Sequence, residues 1–80
     1  MSNRITLYSQ PGCAPCGVAE RRFIRDGIEF EKINIQEDAE AAERLKRLGF
    51  TGTPVFHYGG RHVAMNGLTE IIANYEEDRA

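Results

Sequence analysis

The chain has 80 residues, of which 41% are hydrophobic and 28% charged, and its formal net charge at pH 7 is −2. A chain of this length buries roughly 60–65% of the surface that its unfolded form exposes, so we expect a single domain over residues 1–80. The acidic balance, without a basic stripe, argues against a nucleic-acid ligand. The absence of a long apolar run and of a signal-peptide pattern predicts a cytoplasmic protein with no membrane contact.

Hydrophobic periodicity predicts four strands and three helices. In chain order they are a strand over residues 4–8, a helix over 14–26, a strand over 28–35, a helix over 38–48, strands over 55–58 and 61–65, and a helix from about 66. The apolar face of the second helix, which is predicted to be buried, consists of Ala41, Leu45 and Leu48. Asn66 is the predicted N-cap of the last helix, and residues 76–80 are predicted to be a frayed tail.

The order β-α-β-α-β-β-α predicts an α/β fold. A right-handed crossover makes the first two strands parallel, because crossovers of this type are almost always right-handed. Gly59-Gly60 is a two-residue hairpin signal and makes the last two strands antiparallel. We therefore expect a four-stranded mixed sheet with helices on both faces.

Both cysteines of the chain, Cys13 and Cys16, stand where the first strand ends and the first helix begins. Thiol pools in the cytosol keep structural disulfides reduced. The pair is therefore predicted to be catalytic or metal-binding rather than a structural disulfide. A helix N-terminus and a Cys-x-x-Cys context both lower the pKa of a thiol. Cys13, at the helix start, is the predicted nucleophile. Cys16 lies one turn into the helix, on the predicted buried face that it shares with Ala19 and Phe23, and is the predicted resolving thiol.

The cysteine pair has two alternative interpretations. The cysteines can act as small buried hydrophobic residues, a reading that their strand–turn–helix context disfavours. They can also join His57 and His62 in a formal Cys2His2 zinc set. The gap from Cys16 to His57 is much longer than in a zinc finger, and His62 lies beyond the hairpin turn. No metal site is therefore predicted.

Three motifs together resemble the glutaredoxins, and even more the NrdH-redoxins, which are small electron donors of ribonucleotide reductase. They are Cys13-Ala14-Pro15-Cys16 after the first strand, Thr53-Pro54 before the hairpin, and Asn66-Gly67 before the last helix. The resemblance implies a thioredoxin fold and thiol–disulfide oxidoreductase activity on protein disulfides, with ribonucleotide reductase as a candidate partner. It implies no tightly bound cofactor, and we expect a monomer.

The resemblance also assigns residues. It implies that Pro54 is cis, that Thr53 offers backbone hydrogen bonds to a substrate or to glutathione, and that Gly67 lets a ligand approach the last helix. Gln10, Pro15 and Asn66 occupy further substrate-binding positions.

Two residues that differ from the glutaredoxin pattern indicate which reductant supplies electrons to the cysteine pair. Glutathione-using glutaredoxins carry a lysine at the position of Gln10 and an aspartate at that of Thr69. Loss of both charges favours reduction by NADPH and thioredoxin reductase over reduction by glutathione. The alternative function is that of an iron–sulfur carrier, in which Cys13 and glutathione hold a cluster between two subunits.

Overall fold

The computed structural model describes residues 4–79. Its strands and longer helices are β1 (Ile5–Ser9), α1 (Ala14–Arg25), β2 (Phe30–Asn34), α2 (Ala39–Arg47), β3 (Val55–Tyr58), β4 (Arg61–Ala64) and α3 (Leu68–Arg79). The strands form one sheet in the order β2-β1-β3-β4, with β1 parallel to β2 and both other pairs antiparallel. The predicted α/β thioredoxin-like fold with a four-stranded mixed sheet is confirmed.

The sheet has two buried faces because successive residues of a strand point to opposite sides. Leu7 and Phe56 belong to the larger cluster, which joins the sheet to α1 and α3. Their chain neighbours Tyr8 and Val55 belong to the smaller cluster, which joins the sheet to α2. Phe23 of α1 meets the ring of Phe56 edge-on, with 5.8 Å between ring centroids. The central strands β1 and β3 are therefore covered on both sides.

Glycines with positive φ end α1 and close the hairpin. Gly27, at φ +68°, follows the last turn of α1. Gly59 and Gly60 have φ of +58° and +79°, and a type I′ hairpin requires positive φ at both positions. The predicted hairpin is confirmed and brings β4 back against β3, and α1 ends one residue before its predicted bound.

The predicted burial of Leu48 is wrong, since its side chain is 51% exposed. The helix α2 ends at Arg47, and Leu48 is its C-cap. Gly49 then reverses the chain at φ +93°. Phe50 packs against the smaller cluster instead, and its N–H donates to the carbonyl of Leu45 at 3.0 Å.

Two predictions about the last helix are also wrong. Asn66 is not its N-cap, because a short 3-10 helix over Met65–Gly67 precedes α3, and Asn66 lies inside it. Residues 76–79 are helical rather than frayed, and Ala80 lies outside the described residues. The hydroxyl of Tyr58 donates to Asp78 at 2.8 Å and so ties the last turns of α3 to the sheet.

None of the helices within residues 4–79 is long and apolar enough to cross a membrane.

Candidate active site

The two cysteines occupy the first turn of α1. Cys13 is the N-cap and has an extended backbone, and Pro15 lies in the first turn, where its missing N–H leaves no donor unsatisfied. Gly12, at φ +80°, makes the turn between β1 and the helix. Local sequence alone thus sets the Cys-x-x-Cys segment on a helix N-terminus, where unpaired N–H groups carry positive partial charge.

Cys13 and Cys16 are joined by a disulfide with a Cα–Cα distance of 5.3 Å. The backbone N–H of Cys16 also donates to Cys13 Sγ at 3.2 Å. Cys16 is only 4% exposed, whereas Cys13 is half-buried. A hydrogen bond to sulfur at a helix N-terminus favours negative charge on that sulfur. The geometry therefore distinguishes the two sulfurs: Cys13 is the more accessible, and its Sγ accepts the N–H.

The loop that carries Pro54 lies at the same end of the sheet as the cysteine loop. β1 and β3 are antiparallel, with Tyr8 opposite Val55, so the residues after β1 and before β3 meet at one edge. The Thr53–Pro54 peptide bond is cis, as the resemblance implies. The side chain of Gln10 donates from Nε2 to Thr53 Oγ1 at 3.0 Å. Two separately predicted site residues are thus in direct contact.

Two shallow depressions adjoin this contact. The first, of about 400 Å³, is lined by Gln10, Leu45 and Lys46, and the second, of about 380 Å³, by Thr53, Pro54 and Met65. Both are also lined by Phe50, Thr51 and Gly52. Lys46 and Phe50 were not among the predicted site residues. The adjacency of Phe50 to the Thr53-Pro54 loop is the only sequence signal that points to it.

Of the remaining predicted site residues, Asn66 and Gly67 lie just before α3, and Pro15 lies in the first turn of α1. A Cβ built on Gly67 falls 2.6 Å from Val63 Cβ, so the missing side chain lets the 3-10 helix pack against β4. This contact provides a packing reason for the glycine, and its role in ligand approach stays a prediction. Asn66 and Pro15 are exposed, and their roles in substrate binding also stay predictions.

The histidines pair with each other. His57 and His62 are cross-strand partners whose rings stack with centroids 4.1 Å apart. Burial, helped by the charge of Arg44, lowers the pKa of His57. Burial, the charge of His57 and that of Arg44 lower the pKa of His62. Between residues 4 and 79, no three or more histidine, cysteine or acidic side chains are grouped to hold a metal ion.

Comparison with known proteins assigns the family. The glutaredoxin family model matches residues 5–63. The glutaredoxin-like protein NrdH of Escherichia coli K12 is 40% identical over 52 residues, which cover 65% of this chain and 64% of that protein. The protein of the same name from Lactococcus lactis IL1403 is 33% identical over 51 residues, which cover 64% of this chain and 71% of that protein.

The match to the Escherichia coli relative thus spans just under two thirds of its length. Structural comparison shows a similarity to the same family over more of the chain. The solved structure of NrdH-redoxin from Escherichia coli, described as having a thioredoxin-like activity profile, superposes with a TM-score of 0.77 at 31% identity. It covers 85% of this chain and 93% of that one. Since the family model spans more than half of the chain, the protein belongs to the glutaredoxin family.

Proposed function

We propose that this protein is a thiol–disulfide oxidoreductase that reduces protein disulfides through Cys13 and Cys16. The observation that carries the proposal is the disulfide between these residues in the first turn of a helix, within a glutaredoxin-family fold. The proposal further takes the protein to act as a cytoplasmic monomer without a bound cofactor.

The exchange reaction follows from the different surroundings of the two sulfurs. The Cys13 thiolate attacks one sulfur of the substrate disulfide, forms a mixed disulfide and releases the other substrate sulfur, which takes up a proton. The Cys16 thiol loses its proton and attacks Cys13 Sγ. This expels the second substrate thiol and closes the Cys13–Cys16 disulfide. Two electrons and two protons pass to the substrate, and a reductant then restores the dithiol.

The order of attack is supported by exposure and hydrogen bonding. Only Cys13 is accessible enough to meet a protein disulfide, because Cys16 is almost fully buried. The N–H of Cys16 reaches Cys13 Sγ and favours the thiolate there. Cys16 lies one helical turn away and within disulfide reach, so it needs little movement to attack the mixed disulfide.

Thioredoxin reductase with NADPH is the proposed reductant, in preference to glutathione. The side chains at the two departures, Gln10 and Thr69, carry no charge to bind the ends of glutathione. The amide of Gln10 is moreover already bonded to Thr53. The thioredoxin-like activity profile described for the Escherichia coli NrdH-redoxin supports the same choice. Ribonucleotide reductase is the proposed protein partner, on the likeness to the NrdH proteins.

The test is reduction of insulin disulfides with two recycling systems in parallel. One contains NADPH and thioredoxin reductase, and the other contains NADPH, glutathione and glutathione reductase. We expect turnover with the first system to exceed that with the second, and the Cys13→Ser variant to be inactive with both. Turnover only with glutathione would overturn the proposed reductant. No turnover with either system would overturn the proposed activity.

A further inference from the structure

The Gln10–Thr53 bond continues the pairing of β1 with β3 beyond the point where the backbone ladder ends. The backbone pairing of β1 with β3 ends with Tyr8 opposite Val55. On the β3 side, the next residue beyond this pair is Pro54, which has no N–H to donate to a ladder. One step further, the same register places Gln10 opposite Thr53, and their side chains bond at 3.0 Å. A side-chain hydrogen bond thus joins the two segments just beyond the backbone ladder.

This bond connects two loops that serve different halves of the proposed reaction. Gln10 stands three residues before Cys13, and Thr53 directly precedes the cis bond to Pro54. Both partners are half-buried, so water competes less for their polar atoms than it does at an exposed pair. Gln10 lines one of the two depressions and Thr53 lines the other. The bond therefore lies between two surfaces on which a substrate can rest.

We propose that Gln10 is a positioning residue, which holds Thr53 ready to pair with an extended substrate segment that carries the disulfide. The inference rests on the proposed function, since it concerns the binding of that substrate. The bond involves no sulfur atom. We therefore expect it to affect the affinity for the substrate rather than the rate of thiol–disulfide exchange. A loop that is ordered before binding loses less conformational entropy when the substrate arrives.

A different role for Gln10 makes a different prediction. Among residues 4–79, its Oε1 and its second amide hydrogen have no hydrogen-bond partner, so they are available to contact the substrate directly. In that case, removing the Thr53 hydroxyl would leave the effect of Gln10 intact, and the effects of the two substitutions would add. If Gln10 acts through Thr53, each single substitution breaks the same bond, and the double variant is no worse than either single one.

The experiment is a single-turnover reaction of the pre-reduced protein with an insulin-derived disulfide peptide, which needs no recycling enzyme. The variants are Gln10→Leu, Thr53→Val and their combination. Thr53→Ser keeps the hydroxyl, and Gln36→Leu is the matched control on an exposed glutamine outside both depressions. A neutral hydrogen bond contributes enough to stabilise a bound state about 2- to 12-fold.

We expect the half-saturating peptide concentration to rise by about that factor in Gln10→Leu, Thr53→Val and the double variant alike, at similar maximal rates. Thr53→Ser and Gln36→Leu are expected to stay within about twofold of the wild type, a margin below the effect of one hydrogen bond. Unchanged half-saturation in Gln10→Leu, or effects that add in the double variant, would overturn the inference.

A second measurement does not depend on turnover. Backbone ¹⁵N relaxation should give lower order parameters for residues 51–53 in Gln10→Leu than in Gln36→Leu, because the first variant loses its bond to that loop. Equal order parameters in the two variants would also overturn the inference. If the wild type reduces no peptide, the proposed function fails, and the order parameters still decide whether Gln10 positions Thr53.

Discussion

Gly67→Ala should destabilise the protein because the new methyl group has no space. A Cβ at this position falls 2.6 Å from Val63 Cβ and within 3.1 Å of both Val63 methyl carbons. Overpacking of this kind costs about 1–3 kcal/mol. Replacing glycine by alanine at a compatible position otherwise stabilises by about 0.4–1 kcal/mol through the unfolded chain. The net expectation is a loss of about 1–2 kcal/mol in the free energy of unfolding.

For a domain of this size, that loss lowers Tm by about 4–16 °C, to be followed by circular dichroism on heating. Gly52→Ala is the matched control, since a Cβ there meets nothing within 4 Å and its φ is not positive. We expect its Tm to be equal to or slightly above that of the wild type. A Tm of Gly67→Ala at or above that of Gly52→Ala would refute the packing account. If peptide binding weakened without a fall in Tm, ligand approach would be the reason for Gly67.

Two further predictions concern the sheet. The pKa values of His57 and His62 are lowered in the fold, so below about pH 6.5 the unfolded chain binds more protons than the native one. Their contribution to stability is complete above that pH and is lost as pH falls through the folded pKa values. The Tm between pH 5.5 and 7.5 should therefore rise more steeply in the wild type than in the double His57→Phe/His62→Phe variant; equal slopes would contradict this assignment. Tyr75→Phe should lower the free energy of unfolding by about 1–3 kcal/mol in urea denaturation, because the hydroxyl accepts the backbone N–H of Glu29 at 3.0 Å. Tyr8→Phe, which loses only a 3.4 Å bond from an exposed arginine, is its control and should cost clearly less; an equal cost would count against the N–H explanation.

The order of elements was predictable because local signals agree with the tertiary structure. The glycines that end α1 and form the hairpin have the positive φ that their positions require. Hydrophobic spacing located all four strands and all three longer helices within a few residues of their observed bounds. Such signals are short-range, and they predict where an element begins and ends before its neighbours are known.

The errors come from tertiary contacts that local patterns do not contain. Leu48 has the right spacing for burial, but the chain turns at Gly49 and Phe50 fills the space against the sheet. The polar end of α3 looks frayed in sequence, yet Tyr58 holds it through Asp78. A change of chain direction thus leaves Leu48 exposed, and a side chain distant in sequence keeps the end of α3 helical.

The candidate site likewise has a part that local sequence predicts and a part that depends on tertiary structure. The cysteine pair and its place at a helix start were predictable, because strand, turn and helix signals lie within one short segment. The Gln10–Thr53 contact spans 43 residues and depends on the register of β1 with β3. Register is set by the packing of both sheet faces, so no local pattern predicts that contact.

The central claim is that Cys13 attacks the substrate and Cys16 resolves the mixed disulfide. It is tested most directly by reacting Cys13→Ser and Cys16→Ser with a labelled disulfide peptide and analysing the products by mass spectrometry. We predict that Cys16→Ser accumulates a covalent adduct of one peptide thiol on Cys13, whereas Cys13→Ser forms none, because its remaining cysteine, Cys16, is only 4% exposed. An adduct on Cys16 in the Cys13→Ser variant, with none in Cys16→Ser, would reverse the two roles and contradict the account.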